Sequence, residues 1–202
     1  MSRGELASVT FPSPIRWSTS PLKAPGSDSH WPLGISSRPP SVGPSRGNVV
    51  VVITLRPALE LELEELSALA LRSKSFWGYD AAFLEACREE LTITASRVVE
   101  ERIRVAEMEG KVVGFTALKV GRRRAELMDL FVDPDMIGQG IGRLLWEDAV
   151  TGARDSGAKS LRIEADPHAE EWYMARGAER VGQVTSGSIP GRFLPLLRYE
   201  LS

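Results

Sequence analysis

The chain has 202 residues, 43% of them apolar, which suits one globular domain with a usable core. Its formal net charge of −2 gives no indication of a nucleic-acid or anionic-membrane partner. The single cysteine, Cys87, excludes an intrachain disulfide, and no apolar run is long enough to cross a bilayer. We therefore expect a cytoplasmic protein with neither nucleic acid nor a membrane as its partner.

Residues 1–48 differ in composition from the rest of the chain. About half of them are Pro, Ser or Gly, without helical or strand periodicity, so this segment cannot bury a core. We interpret it as a disordered extension, upstream sequence translated from an early start site; a docking segment that uses Trp17 or Trp31 is the alternative. The folded domain is expected over residues 49–202, and a chain shortened to that range should still fold.

The first part of the folded region predicts a strand followed by two helices. Val49–Leu55 is β-branched and apolar, as in a strand, and leucines at helical spacing follow over about Ala58–Ser73. An aromatic loop then leads to a second helix over about Ala81–Leu91. Asp80 can N-cap this helix, and Cys87 lies on its apolar face, which indicates a structural thiol.

The chain after residue 100 predicts six strands and two helices. The predicted strands are Ile103–Met108, Lys111–Val120, Leu127–Val132, Ser160–Ala165, Glu179–Val184 and Phe193–Leu201. A long helix is predicted over about Ile141–Ser156, and a short one between Pro167 and Arg176. The element order is β-α-α-β-β-β-α-β-α-β-β, which indicates a mixed α/β layer.

A glycine loop lies between the third of these strands and the long helix. Gly138, Gly140 and Gly142 leave room for several backbone N–H groups to turn toward one point at the positive end of the helix, which suits a phosphate or pyrophosphate. A tight turn without a ligand is the alternative. The Gly-Lys-Ser/Thr of a P-loop is missing. Arg143 stands where the dinucleotide fingerprint needs glycine, although Glu164 lies at the distance of a ribose-binding acid.

The element order and the segments VDPDMIGQGIGRLL and DPHAEEWYMARGAERVG resemble the GNAT superfamily of acyl-CoA-dependent N-acetyltransferases over about Val49–Leu201. The resemblance implies a central, mostly antiparallel sheet with splayed strands, flanked by helices, and acetyl-CoA as cosubstrate. The family's cofactor motif, Arg/Gln-x-x-Gly-x-Gly/Ala, falls on residues 137–142. The cofactor-binding residues that the resemblance implies are Leu130, Phe131, Val132, Ile137, Gly138, Gln139, Gly140, Ile141, Gly142, Arg143 and His168.

The same resemblance implies that Tyr173 is the general acid for the thiolate leaving group; a helix tyrosine packed on the sheet is the alternative. Glu126 and Asp129 are the candidate bases, and for each the alternative is a carboxylate paired with an arginine. Strand alternation puts them on opposite faces, with Asp129 beside Leu127, so only one should reach the cleft. His168 either helps to hold the cofactor or caps its turn. Two histidines in the chain exclude a histidine-rich metal site, and we expect no metal.

The leading hypothesis is transfer of an acetyl group from acetyl-CoA to a primary amine of a small molecule or peptide, by direct attack in a ternary complex. The loops Phe76–Tyr79 and Ser186–Arg192 should flank the acceptor, whose identity stays open, as does a homodimer. The alternatives are a non-catalytic acyl-CoA-binding module on the same fold and a dinucleotide-binding domain. CoA-selective binding together with release of thiol in the presence of an amine would favour the leading hypothesis, acetyl transfer.

Overall fold

The structure is a computed structural model that describes residues 52–201, so the predicted extension and the first residues of the first predicted strand lie outside the described part. The strands are β1 (Ile53–Pro57), β2 (Arg102–Met108), β3 (Lys111–Val120), β4 (Arg124–Val132), β5 (Ser160–Glu164), β6 (Glu179–Thr185) and β7 (Phe193–Glu200). The helices are α1 (Leu63–Ser75), α2 (Ala81–Cys87), α3 (Ala95–Glu100), α4 (Ile141–Asp155) and α5 (Glu170–Met174). Among these helices none is long and apolar enough to span a membrane.

The seven strands form one sheet in the order β1-β2-β3-β4-β5-β7-β6. Every neighbouring pair is antiparallel except β4 and β5, which run parallel. Helix α4 lies in the connection between β4 and β5 and is long enough for the crossover that parallel strands need. The predicted mixed α/β architecture, with a mostly antiparallel sheet flanked by helices, is confirmed.

Two apolar layers hold the helices against the sheet. On one face α4 buries Leu145 against β2 and β3 and Trp146 against β4, β5 and α5, and on the other α1 buries Leu66 and Leu69 against Phe115 of β3. Cys87 is buried in the second layer, as its helical spacing predicted. Each fully buried leucine of this kind contributes about 2 kcal/mol through the water-accessible area that it removes.

Several element boundaries differ from the predicted ones, and one helix was missed. β1 continues through Pro57, two residues beyond the predicted end at Leu55, and α2 ends at Cys87 rather than Leu91. The helix α3 was not predicted because it has only six residues and buries none of them, so it carries no apolar period. Its one sequence signal is Thr94, whose hydroxyl accepts a hydrogen bond from the backbone N–H of Arg97 at 3.4 Å.

A β-bulge in β4 changes the faces on which its side chains lie. Ala117 of β3 pairs with Asp129 and the next residue, Leu118, pairs with Leu127, so Met128 has no partner across the strand. Leu127 therefore lies on the α4 face, whereas Asp129 lies on the opposite face. The predicted alternation was wrong on this point: Glu126 and Asp129 share a face, because the extra residue reverses the phase of the strand.

Gly114 in β3 lies where no side chain fits without movement. A Cβ atom there would come within 2.8 Å of the Phe131 carbonyl oxygen and 3.0 Å of Leu145 Cδ1. We expect Gly114→Ala to lower the free energy of unfolding by about 1–3 kcal/mol in chemical denaturation, because overpacking strains the sheet against α4. Gly182→Ala in β6 is the matched control, since its Cβ would meet nothing within 4 Å. An equal effect of both changes would contradict this account.

Candidate active site

The sheet opens between β4 and β5. The two strands pair only from Arg124 with Ser160 to Leu127 with Ile163, and the described residues give β4 no further partner on that side. A cavity of about 490 Å³ fills the opening between the strand ends, with the glycine loop at one end and α5 along its wall. The splay leaves backbone N–H and C=O groups of Leu130–Val132 without a ladder on the β5 side, so an extended ligand can pair with them.

The glycine loop forms the end of this cavity where α4 begins. Gly138 and Gly140 have φ angles of +84° and +83°, a left-handed conformation that side chains disfavour. Gly140 is the N-cap of α4 and offers no side chain, so the first N–H groups of that helix lack a side-chain cap. Together these features leave an open, N–H-rich site that suits an anion.

Arg176 adds a cation between this cavity and the surface groove along α4. Its guanidinium lies 3.5 Å from the centroid of the Trp172 ring, and Nη1 donates to the Trp172 carbonyl oxygen at 2.7 Å. Its Nε is buried without a partner in the described residues. Burial and the neighbouring charge of Arg143 lower the pKa of Arg176, so a bound phosphate would relieve both costs. Sequence reasoning missed this residue.

Tyr173 lies on α5 and lines the cavity. Its side chain is 7% exposed and packs edge-on against Trp146 and Trp172. Burial, and next the negative charge of Asp129, raise the pKa of Tyr173 above its usual value, while Arg176 opposes them. The hydroxyl group therefore keeps its proton through the neutral pH range.

Asp129 lines the same cavity and is 9% exposed. It pairs with Arg97 of α3, which also binds Glu101 at 2.8 Å. Burial raises the pKa of Asp129 to about 6 although Arg97 lowers it, and the charges of Glu101 and Glu90 add to the rise. A carboxylate with a pKa just below neutral suits a general base, because it is charged at pH 7 yet accepts a proton readily.

A polar cluster, which we call the rim cluster, joins α1, the aromatic loop, the segment after β5 and the β6–β7 loop. Asp166 is its centre: it accepts from Lys74 Nζ at 2.7 Å, from the Tyr79 hydroxyl at 2.9 Å and from Arg192 Nη2 at 3.2 Å. Arg192 Nη2 also donates to the Tyr79 hydroxyl at 2.6 Å. Burial and the bond to Asp166 raise the pKa of Tyr79 to about 12.

Known proteins match this chain in sequence and in fold. A family model described as the acetyltransferase (GNAT) domain matches residues 70–188, more than half of the chain. The chain belongs to the GNAT acetyltransferase family. An uncharacterised N-acetyltransferase of Methanocaldococcus jannaschii is 29% identical over an alignment of 145 residues, and the match covers 65% of this chain and 63% of that protein. This GNAT chain thus spans less than two thirds of the length of the curated relative that it matches.

Solved structures agree with the family. A GCN5-related N-acetyltransferase from Rhodopseudomonas palustris has a TM-score of 0.64 at 26% identity, over 73% of this chain and 95% of that one. The PaiA N-acetyltransferase from Thermoplasma acidophilum, solved in complex with coenzyme A, has a TM-score of 0.63 at 20% identity, over 73% of this chain and 98% of that one. The predicted membership is confirmed, and the dinucleotide-binding hypothesis is dropped.

The GNAT chain brings most of the predicted site residues to one cavity. Those lining it are Leu130, Phe131, Val132, Ile137, Gly138, Gly140, Gly142, Arg143, His168, Asp129 and Tyr173. Three predicted residues are not part of the lining. The Gln139 side chain donates to the Asp135 carbonyl oxygen at 3.2 Å, Ile141 is 1% exposed in the core, and Glu126 pairs with Arg124 at 3.3 Å.

His168 lines the cavity by stacking on an aromatic side chain. Its ring lies parallel to that of Trp77, with 5.2 Å between the centroids, and meets Tyr79 edge-on. Its backbone N–H donates to Asp166 Oδ1 at 3.1 Å, so Asp166 caps this turn. The ring thus belongs to the rim rather than to the glycine loop.

Asp166 of this GNAT chain should be a measurable source of stability. Burial alone would raise the pKa of Asp166, but the hydrogen bond and charge of Lys74, the N–H of His168 and the Tyr79 hydroxyl outweigh it and lower the pKa from 3.8 to about 2. Asp166→Asn should therefore lower the free energy of unfolding at pH 7 by about 2 kcal/mol.

The sign of this effect sets its pH dependence. A carboxyl group whose pKa falls on folding stabilises the protein above its unfolded pKa, and this stabilisation is lost as the pH falls from about 4 toward 2. Urea denaturation should show the gap between the two proteins closing over that range. Asp155→Asn, at an exposed position, should change stability by less than about 0.5 kcal/mol. A gap that stays constant down to pH 2 would contradict the assignment.

Proposed function

We propose that this protein transfers an acetyl group from acetyl-CoA to a primary amine by direct attack in a ternary complex. One observation carries the proposal: Tyr173 and Asp129, an acid that keeps its proton and a base close to neutral pKa, line the cavity that also ends in the glycine loop. A binding module without chemistry has no need of two buried ionisable groups of opposite role in its ligand cavity.

The residues present suit the binding of CoA. The pyrophosphate would be held by the backbone N–H groups of residues 138–143, with Arg143 and Arg176 as neighbouring cations. The pantetheine amides would pair with the free side of β4 at Leu130–Val132, as an added strand does. Ile137, in the first position of the glycine motif, contributes no side-chain donor, so the backbone and Arg176 bear the recognition of the phosphates.

The chemistry divides between two side chains. Acetyl-CoA supplies an acyl group activated as a thioester. Asp129 takes a proton from the attacking amine, directly or through water, as the new C–N bond forms. Tyr173 donates its proton to the sulfur as the C–S bond breaks, so that CoA leaves as a neutral thiol. The pair of groups returns to its starting state when the proton on Asp129 passes to Tyr173 through solvent.

Calorimetry and a thiol-release assay test the proposal. Titration with acetyl-CoA, CoA and NAD should give binding to the first two alone, and release of free thiol from acetyl-CoA should accelerate when an acceptor amine is added. The amine panel should cover amino acids, diamines and lysine peptides. Binding of CoA without amine-dependent release on any of them would favour the non-catalytic module, and absence of CoA binding would overturn the proposal.

A further inference from the structure

The rim cluster carries an excess of positive charge. Two cations, Lys74 and Arg192, share the single carboxylate of Asp166, and the three side chains are only 14%, 16% and 13% exposed. Tyr79, the fourth member, keeps its proton because its pKa is raised. A poorly hydrated cluster with one uncompensated cation is costly by itself and gains from an added anion.

Lys74 is the member of the cluster that can meet such an anion. It lines the cavity together with Asp166, whereas Tyr79 and Arg192 are not among the lining residues. An ammonium group has three N–H donors, and only the one directed to Asp166 has a partner within residues 52–201. Arg192 holds part of the charge of Asp166, so that carboxylate does not neutralise Lys74 completely.

The other side of the acceptor space has the opposite charge. Asp129 and Glu90 both line the cavity, and the Asp129–Arg97–Glu101 group contains two carboxylates for one guanidinium. The described residues give Glu90 no ion-pair partner. An entering ammonium is therefore drawn toward Asp129 and Tyr173, while an anion is drawn toward Lys74.

We propose that the acceptor is a small amine that also carries a carboxylate, such as a free amino acid, and that Lys74 binds this carboxylate while the amine lies against Asp129. The inference rests on the proposed acetyl transfer and narrows its substrate class. The remaining side chain of the rim, His168, stacks on Trp77 and offers the substrate a flat wall. Polyamines fit less well, because a second ammonium would meet the excess cation.

A matched panel of acceptors tests this inference. Rates should be measured by thiol release with the common α-amino acids, with their carboxamides and with 1,4-diaminobutane. For the best amino acid, we expect kcat/KM to exceed that of its amide by roughly 10- to 100-fold, the range that one charge-assisted hydrogen bond provides. Lys74→Met should raise KM for the acid by a similar factor and change the rate with the amide by a much smaller one.

Two further variants separate charge recognition from loss of structure. Lys74→Arg keeps a cation and should retain most of the preference for the acid. Lys111→Met, an exposed change of the same kind at the β2–β3 hairpin, should leave both rates unchanged. Retained acetyl-CoA affinity, measured by calorimetry, shows that each variant is folded.

Several results would overturn the inference. The inference would be wrong if an amide or the diamine reacted as well as the acid, if Lys74→Met affected acid and amide equally, or if no amino-carboxylate of the panel were acetylated. The proposed function fails separately, through loss of acetyl-CoA binding or of turnover with every amine.

Discussion

Tyr173→Phe is expected to lower kcat by about 10²- to 10³-fold and to change the affinity for acetyl-CoA by less than about twofold. The substitution removes only the hydroxyl group, so the edge-on packing of the ring against Trp146 and Trp172 remains. The lost proton donor leaves the thiolate to depart unprotonated or with help from water. Steady-state kinetics with saturating acetyl-CoA, together with calorimetry, measure both quantities.

Tyr199→Phe provides the matched control for this change. Tyr199 also packs edge-on against Trp146, but it is not among the residues that line the cavity between β4 and β5. Its removal should leave kcat within about twofold of the parent. If both variants lost activity equally, the defect would lie in packing around Trp146 and the role of Tyr173 as an acid would be wrong.

Asp129→Asn is expected to lower kcat/KM at pH 7.5 by about 10²- to 10³-fold and to remove the acidic limb of its pH profile. Asp129 works as a base only when it is charged. Because its pKa is about 6, the parent should lose activity as the pH falls through that value and should reach its plateau about one unit above it. The Asn variant has no group to titrate there and should give a flat profile between pH 5 and 7.

Glu126→Gln decides whether the base was assigned to the right carboxylate. Glu126 pairs with Arg124 and is absent from the cavity lining, so its neutralisation should change kcat/KM by less than about threefold and keep the limb near pH 6. If Glu126→Gln lost this limb and Asp129→Asn kept it, Glu126 would be the base in place of Asp129. Thermal denaturation shows whether both variants are folded. We expect Asp129→Asn to fold because Arg97 keeps Glu101 as its partner.

The sequence predicted the elements whose signal is local. The glycine loop, the long α4 helix and the N-cap by Asp80 follow from residues within a few positions of each other. The order of these elements was enough for the fold class. Side chains that line the cavity from β4, the glycine loop and α5 were also predictable, because they lie within or beside the recognised motifs.

The features that escaped prediction depend on partners that lie far apart in the chain. Arg97 meets Asp129 across 32 positions, and Lys74 meets Asp166 across 92. Neither Arg97 nor Lys74 belongs to a motif, and in the sequence each resembles an ordinary surface cation. Arg176 was overlooked for a related reason: its proposed contact with phosphate is argued from its stacking over Trp172 and from its buried Nε, and no spacing rule expresses either.

The bulge at Met128 gives β4 one residue more than β3 between the pairs Leu118–Leu127 and Ala117–Asp129, whatever the type of that residue. Any side chain at position 128 leaves Asp129 on its present face, so a scan of substitutions there should find a permissive site. Deleting the residue would restore regular pairing and would keep Leu127 and Asp129 on their present, opposite faces, because neighbouring residues of a strand alternate in direction. The faces of Leu127 and Asp129 thus follow from their pairing with Leu118 and Ala117, and the bulge sets only how many residues of β4 separate them.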